Sequence, residues 1–136
     1  INETRKILKN PNLKITATAV RVPVFNSHSE SINIEFEKKF EMNDLVDTLS
    51  KAPGIVLQDN LVNNPHASNV QIPSFPLAIK AMGHDEVFLG RIRRDHSVDS
   101  GVNLWVVADN IRKGAATNAV QIVEENMRLG TGQKCI

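Results

Sequence analysis

The chain has 136 residues, of which 41% are hydrophobic and 23% charged, the size and balance of one ordinary globular domain. A formal net charge of +1 gives no general pull toward nucleic acid or an anionic membrane surface. No apolar run approaches bilayer length, and the charged opening INETRKILKN is not a secretory leader, so a cytoplasmic protein without membrane or nucleic-acid partners is expected.

Asn2 to Lys9 reads as a short helix capped by Asn2 and stopped before Pro11. It opens abruptly and without an initiator Met, as in a trimmed chain or a fragment. Leu13 to Val24, rich in Ile, Thr and Val, reads as a strand ending at Pro23. Phe25 to Ser29 is then a loop. Ser31 to Glu37 alternates cleanly, with Ile32, Ile34 and Phe36 on one face and Asn33, Glu35 and Glu37 on the other, which is a strand with one wet face.

Asn43 to Lys51 carries Leu45, Val46 and Leu49 at helical spacing, with Asn43 as cap and Pro53-Gly54 as the stop. Ile55 to Leu57 is a short strand. Asp59 to Met82, punctuated by Pro65, Pro73 and Pro76, reads as a long irregular excursion. Glu86 to Arg93 and Val102 to Ala108 are two strands joined by a polar turn, the second apolar enough to be buried on both faces. A long helix follows from Asp109 to Leu129, capped by Asp109 or Asn110 and ended by Gly130. Adjacent strands without intervening helices predict an α+β domain, with a mixed or antiparallel sheet and helices on one face.

The stretch RVPVFNSH, Arg21 to His28, sets a guanidinium and an imidazole seven residues apart. The first can grip a carboxylate with two parallel hydrogen bonds and the second can exchange a proton near neutral pH. The residues alone equally allow a solvated strand-end arginine and a loop histidine. In the last helix, Gly114, Ala115, Ala116 and Ala119 form a small-residue surface flanked by Asn110, Asn118 and Gln121. That pattern suits a close approach by another backbone or a ligand, and the helix N-terminus would favour an anion. Close helix-on-sheet packing explains the same pattern.

Arg91, Arg93 and Arg94 could bind phosphate, but no interleaved aromatics accompany them, and a solvated or dimer-contacting strand edge is the better reading. His28, His66, His84 and His96 are scattered, so no metal site is expected. The single cysteine, Cys135, cannot form an internal disulfide and reads as an exposed tail thiol in a reducing compartment. No glycine-rich phosphate loop follows a strand.

Taken together, NETRKIL, ATAVRVPVFNSHSES, EVFLGRIRRD and NLWVVADNIRKGAATNAVQI resemble the C-terminal part of aspartate-semialdehyde dehydrogenase. The resemblance covers nearly the whole chain and is weakest over residues 60–82. It implies a sheet domain like the C-terminal domain of glyceraldehyde-3-phosphate dehydrogenase, spanning residues 1–108, that binds substrate and forms a homodimer through the sheet. Residues 109–136 would be a helix and tail packing on an NADP-binding Rossmann domain.

The implied reaction reduces L-aspartyl 4-phosphate to L-aspartate 4-semialdehyde with NADPH, releasing phosphate, in the biosynthesis of lysine, methionine, threonine and isoleucine. Arg21 matches the arginine that holds the substrate carboxylate, and His28 the acid/base on the thiohemiacetal. Asn110 matches a position that contacts NADP. The family's nucleophilic cysteine, its glycine-rich loop and a Glu-x-x-Lys motif have no counterpart here, so the chain by itself is expected to be inactive. Two other readings stay open: a catalytically inactive oligomerisation module of a related protein, and an enzyme like N-acetylglutamyl-phosphate reductase.

Overall fold

A computed structural model describes residues 1–59, 75–128 and 130. Most of the proline-rich excursion, with His66, and the tail, with Cys135, lie outside them. The elements are α1 (Asn2–Ile7), β1 (His28–Glu35), α2 (Met42–Lys51), β2 (Ile55–Leu57), α3 (Ala78–Ala81), β3 (Val87–Asp95), β4 (Gly101–Ala108) and α4 (Thr117–Arg128). Among the described residues the strands form one sheet in the order β1-β4-β3-β2. β4 runs antiparallel to both β1 and β3, while β2 runs parallel to β3. This is the expected mixed sheet of an α+β domain.

Period-two alternation divides the core between the sheet's faces. On one side Leu89, Ile92, Val102 and Leu104 are buried, and Ile32, Ile34, Leu45, Val46 and Leu49 pack against them. α2 therefore covers that face with the apolar stripe read from its sequence. On the reverse side Phe88 and Val107 pack with Ala81, Ala78 and Val56. A four-residue helix, α3, thus sits on the face expected to be bare. Trp105 joins it there and donates its indole N–H to the carbonyl of the buried Pro76 at 3.1 Å.

Gly90 makes the crossing of these layers possible. A β-carbon on it would collide with the Gln58 carbonyl oxygen and lie 2.7 Å from Pro76 Cδ. Just beyond, the β3–β4 register slips between Gly90 and Arg93, and Arg91 adopts φ +51°. The Asp59 carboxylate accepts the N–H of Ile92 at 2.6 Å, which fastens this bulge from the β2 side.

Several boundaries differ from expectation. Leu13 to Val24 is not a strand: residues 12–27 carry no regular structure, and Val20, Val22 and Val24 are exposed. Its β-branched side chains have the propensity, but a strand exists only with a hydrogen-bonded neighbour, and none of the described residues supplies one. β1 begins three residues earlier than the alternation suggested and ends at Glu35. Helix α1 starts from Ile1 and α2 from Glu41, neither with a side-chain cap, so Asn2 and Asn43 are not the capping residues.

The long C-terminal helix is interrupted. Arg112–Ala116 forms a single wide turn broken at Ala115 (φ −139°, ψ −124°), and only Thr117–Arg128 is regular. Asp109 takes up the first amides of this segment. Its buried carboxylate, 3% exposed, accepts the N–H of Ile111 at 2.9 Å and that of Gly83 at 2.8 Å. Beside it the Arg112 guanidinium meets Asp85 through two hydrogen bonds of 2.6 and 3.0 Å. These contacts latch the 83–85 turn, which follows α3, to the end of β4.

Two predictions follow from this packing. Gly90→Ala is expected to destabilise the fold by about 1–3 kcal/mol, since the collision involves backbone and a proline ring; urea unfolding would measure it. The latch is also expected to weaken in acid. Hydrogen bonding from Arg112 holds the Asp85 carboxyl below its ordinary 3.8, and the Gly83 N–H does the same for Asp109. The unfolded chain therefore takes up protons that the folded chain refuses. Their stabilisation is complete above the ordinary value and is lost as pH falls through the depressed folded-state values. Thermal melts of the parent chain and of Asp109→Asn should differ most above about pH 4 and converge as the pH falls below it.

Candidate functional site

The N-terminal end of β1, with His28, meets the residues that follow β4, with Asn110. His28 is the first residue of β1, lies opposite Ala108 and is exposed. It stands on the sheet's edge strand. Arg21 is exposed on the irregular segment that leads into β1. Among the described residues, neither side chain has a hydrogen-bond or ion-pair partner. A guanidinium with all its donors free suits an arriving carboxylate, and an exposed imidazole can exchange protons with a substrate oxygen.

Between them sits Ser27, which is 6% exposed and has φ +81°, a region that L-residues seldom adopt. Two contacts hold it there. Its N–H donates to Asn110 Oδ1 at 2.8 Å, and its hydroxyl donates to the Ala78 carbonyl at 3.1 Å. A backbone N–H can only donate, so the carboxamide of Asn110 must present its oxygen to Ser27. The amide nitrogen of Asn110 faces no partner among the described residues.

Asn110 is thus brought beside the His28 strand end, and its carboxamide oxygen is engaged within the chain. Residue order gave no sign of Ser27 or of this bond. The serine carries no signature of a left-handed backbone, and its partner is 83 residues away.

The N-terminal amides of the C-terminal helical segment are not open to an anion in this form. Asp109 accepts the N–H of Ile111 with its carboxylate and those of Arg112 and Lys113 with its carbonyl. The amides that would have faced a ligand are satisfied internally. Gly114, Ala115, Ala116 and Ala119 are exposed, and a β-carbon on Gly114 would only reach ordinary contact distance, 4.0 Å, from Asn110 Cβ. No backbone of the described residues approaches this surface closely, so packing on the sheet does not explain its small residues. Gln121 accepts a hydrogen bond from Lys113 Nζ at 2.7 Å.

The arginine cluster is likewise engaged within the domain. Arg94 donates to the Phe40 carbonyl and lies 4.7 Å from that ring's centre. Arg91 lies 5.8 Å from the Phe75 ring centre, and Arg93 donates to the Arg91 carbonyl. β3 is an inner strand, but β2 pairs only with Val87, Phe88 and Leu89, so the arginines occupy the half of β3 that β2 leaves open, while β4 still pairs with Arg93 and Arg94. Among the described residues no group of three or more His, Cys, Asp or Glu side chains could hold a metal ion. No helix among them is long and apolar enough to cross a membrane.

Comparison with known proteins adds the family. The profile described as "Semialdehyde dehydrogenase, dimerisation domain" matches residues 1–113. The chain is 52% identical over 122 residues to aspartate-semialdehyde dehydrogenase of Aquifex aeolicus, covering 90% of this chain and 33% of that one. The Legionella pneumophila enzyme of the same name is also 52% identical, over 123 residues, with the same coverage. Among solved structures, aspartate semialdehyde dehydrogenase II of Vibrio cholerae complexed with ASA superposes with a TM-score of 0.77 at 42% identity, covering 93% of this chain and 34% of that one. The chain spans about a third of the length of the relatives it matches. With its mixed sheet and its match over residues 1–113, the chain belongs to the semialdehyde dehydrogenase dimerisation-domain family.

Proposed function

We propose that this chain is the substrate-binding and dimer-forming part of a cytoplasmic aspartate-semialdehyde dehydrogenase. The enzyme would reduce L-aspartyl 4-phosphate to L-aspartate 4-semialdehyde with NADPH and release phosphate. The observation that carries this reading is the exposed imidazole of His28, set at a braced strand end, with the exposed guanidinium of Arg21 on the segment that leads into it. The Vibrio cholerae relative solved with ASA supports the substrate class.

Arg21 would clamp the substrate's carboxylate through its fork and thereby fix the distance of the reacting carbon. His28 would hold the proton of the tetrahedral adduct's hydroxyl, releasing it or taking it back according to the direction of reaction. NADPH, when bound, supplies the hydride. What this chain offers toward the cofactor is the unengaged amide nitrogen of Asn110, since its oxygen is occupied by Ser27.

In the complete protein, Arg21→Lys is expected to raise KM for aspartate semialdehyde about 10- to 100-fold, the loss of one bidentate charged contact. His28→Ala is expected to lower kcat about 10²- to 10⁴-fold with a smaller effect on KM. Steady-state kinetics in the phosphorylating direction measure both. Wild-type constants in the two variants would remove the assignments.

The homodimer is proposed to form through the sheet. On the reverse face, Ser29, Ser31, Asn33 and Glu35 of β1 are exposed beside the half-buried Trp105. A short helix, α3, is the only described element packed there. Ser31 lies directly opposite Trp105 in the β1–β4 register. Ser31→Arg would put an unpaired charge into such an interface. Light scattering of the complete protein should then show a shift from dimer toward monomer. A dimer of unchanged strength would move the interface elsewhere.

A further inference from the structure

We propose that Asn110 is a positioning residue for His28, acting through Ser27, and that its carboxamide oxygen is the atom that matters. The inference rests on the reading of His28 as the acid/base. It assigns Asn110 a role that a nucleotide contact alone would not give.

Three observations converge. First, the N-terminal half of β1 has no apolar anchor. His28, Ser29, Glu30 and Ser31 are all exposed, and only Ile32 and Ile34 reach the core. Something else must keep this end of an edge strand from fraying.

Second, the residue before His28 is buried and held in a backbone conformation that serine disfavours. Ser27 keeps φ +81° only while its two bonds, to Asn110 and to Ala78, over-determine it.

Third, the bonds close a small ring. Ala108 pairs with His28 in the sheet, and Asn110, two residues after Ala108, reaches back to the amide of Ser27. The peptide plane entering His28 is thus tied to the same β4 end that His28 itself faces. Asp109, between them, is pinned to Gly83, so the tie is fixed to the domain rather than to a loose tail. Removing the Asn110 oxygen would leave the Ser27 N–H unpaired and release the left-handed turn, and the imidazole would lose its fixed direction.

The test uses the complete protein and four substitutions at Asn110 and its neighbours. Asn110→Ala is expected to lower kcat about 10-fold or more, in addition to any rise in KM for NADP from the lost amide nitrogen. Asn110→Asp keeps an oxygen acceptor but loses the amide donors. It should recover most of kcat if positioning is the role, whereas a pure nucleotide contact through the amide nitrogen would leave both variants with raised KM for NADP and unchanged kcat. Ser27→Gly in the Asn110→Ala background should recover part of kcat, because glycine holds a positive φ without bracing.

Hydrogen exchange supplies a readout independent of turnover. Asn110→Ala should speed exchange of the amides from residue 27 to 31 and leave β3 unchanged. Unchanged exchange there, or raised KM for NADP with intact kcat, overturns the proposal. In a His28→Ala background, Asn110→Ala should add little to the loss of kcat. If His28→Ala itself left kcat intact, the acid/base reading would fall, and exchange at residues 27–31 would still decide whether Asn110 braces the strand end.

Discussion

The structure turns on a buried carboxylate at the end of its most buried strand. Asp109 ends the run Gly101–Ala108 and spends its oxygens on two backbone amides, those of Gly83 and Ile111. One bond gathers α3 and the turn after it. The other bends the chain away from β4 before any helix can start. Without that bend Asn110 would continue the strand direction and its side chain would not return to Ser27. A single hydrogen-bonded acid therefore sets both the reverse-face packing and the geometry at His28. Buried carboxylates that accept several backbone N–H groups are strong local organisers, because unmaking them leaves charge and donors stranded together.

Much of the framework was legible from residue pattern. Ile32 and Ile34 alternating with Asn33 and Glu35 gave the wet-faced strand, and Leu45, Val46 and Leu49 gave the helix covering it. The apolar run at β4 packs on both faces of the sheet, as its composition implied, with Val102 and Leu104 on one side and Val107 on the other. What could not be read was the part settled by long-range contacts. Leu13 to Val24 has strand composition without a strand, because pairing is a property of two segments. DNIRKGAATN has helix formers and Asp109 takes up its first amides, but the segment is broken at Ala115 before the regular helix begins. Proline and glycine signals fared better, being local: Pro53-Gly54 does stop α2, with Gly54 at φ +75°, and Gly130 takes φ +60° after α4.

The candidate site shows the same division. Arg21 and His28 were visible as residue types at a useful spacing, and the resemblance gave them roles. Their neighbour Ser27 was invisible, since nothing in FNSHS announces a left-handed serine held by a carboxamide on the far side of the sequence. Here the sequence supplies the reactive groups, and tertiary contacts supply their aim. A site assembled this way separates chemistry from orientation: the groups that react stay exposed, while the groups that aim them are buried at the strand end.

The exposed segment before β1 has a practical consequence. Val20, Val22 and Val24 carry apolar β-branched side chains to the surface, and Phe25 is 99% exposed. They lie next to β1, whose outer backbone groups pair with none of the described residues. A run of strand-prone residues beside an open sheet edge can add to another molecule's edge as readily as to its own. Preparations of this polypeptide on its own will need low concentration, or a charged substitution such as Val22→Lys, to stay dispersed. The same stickiness, in a complete assembly, is surface waiting to be covered.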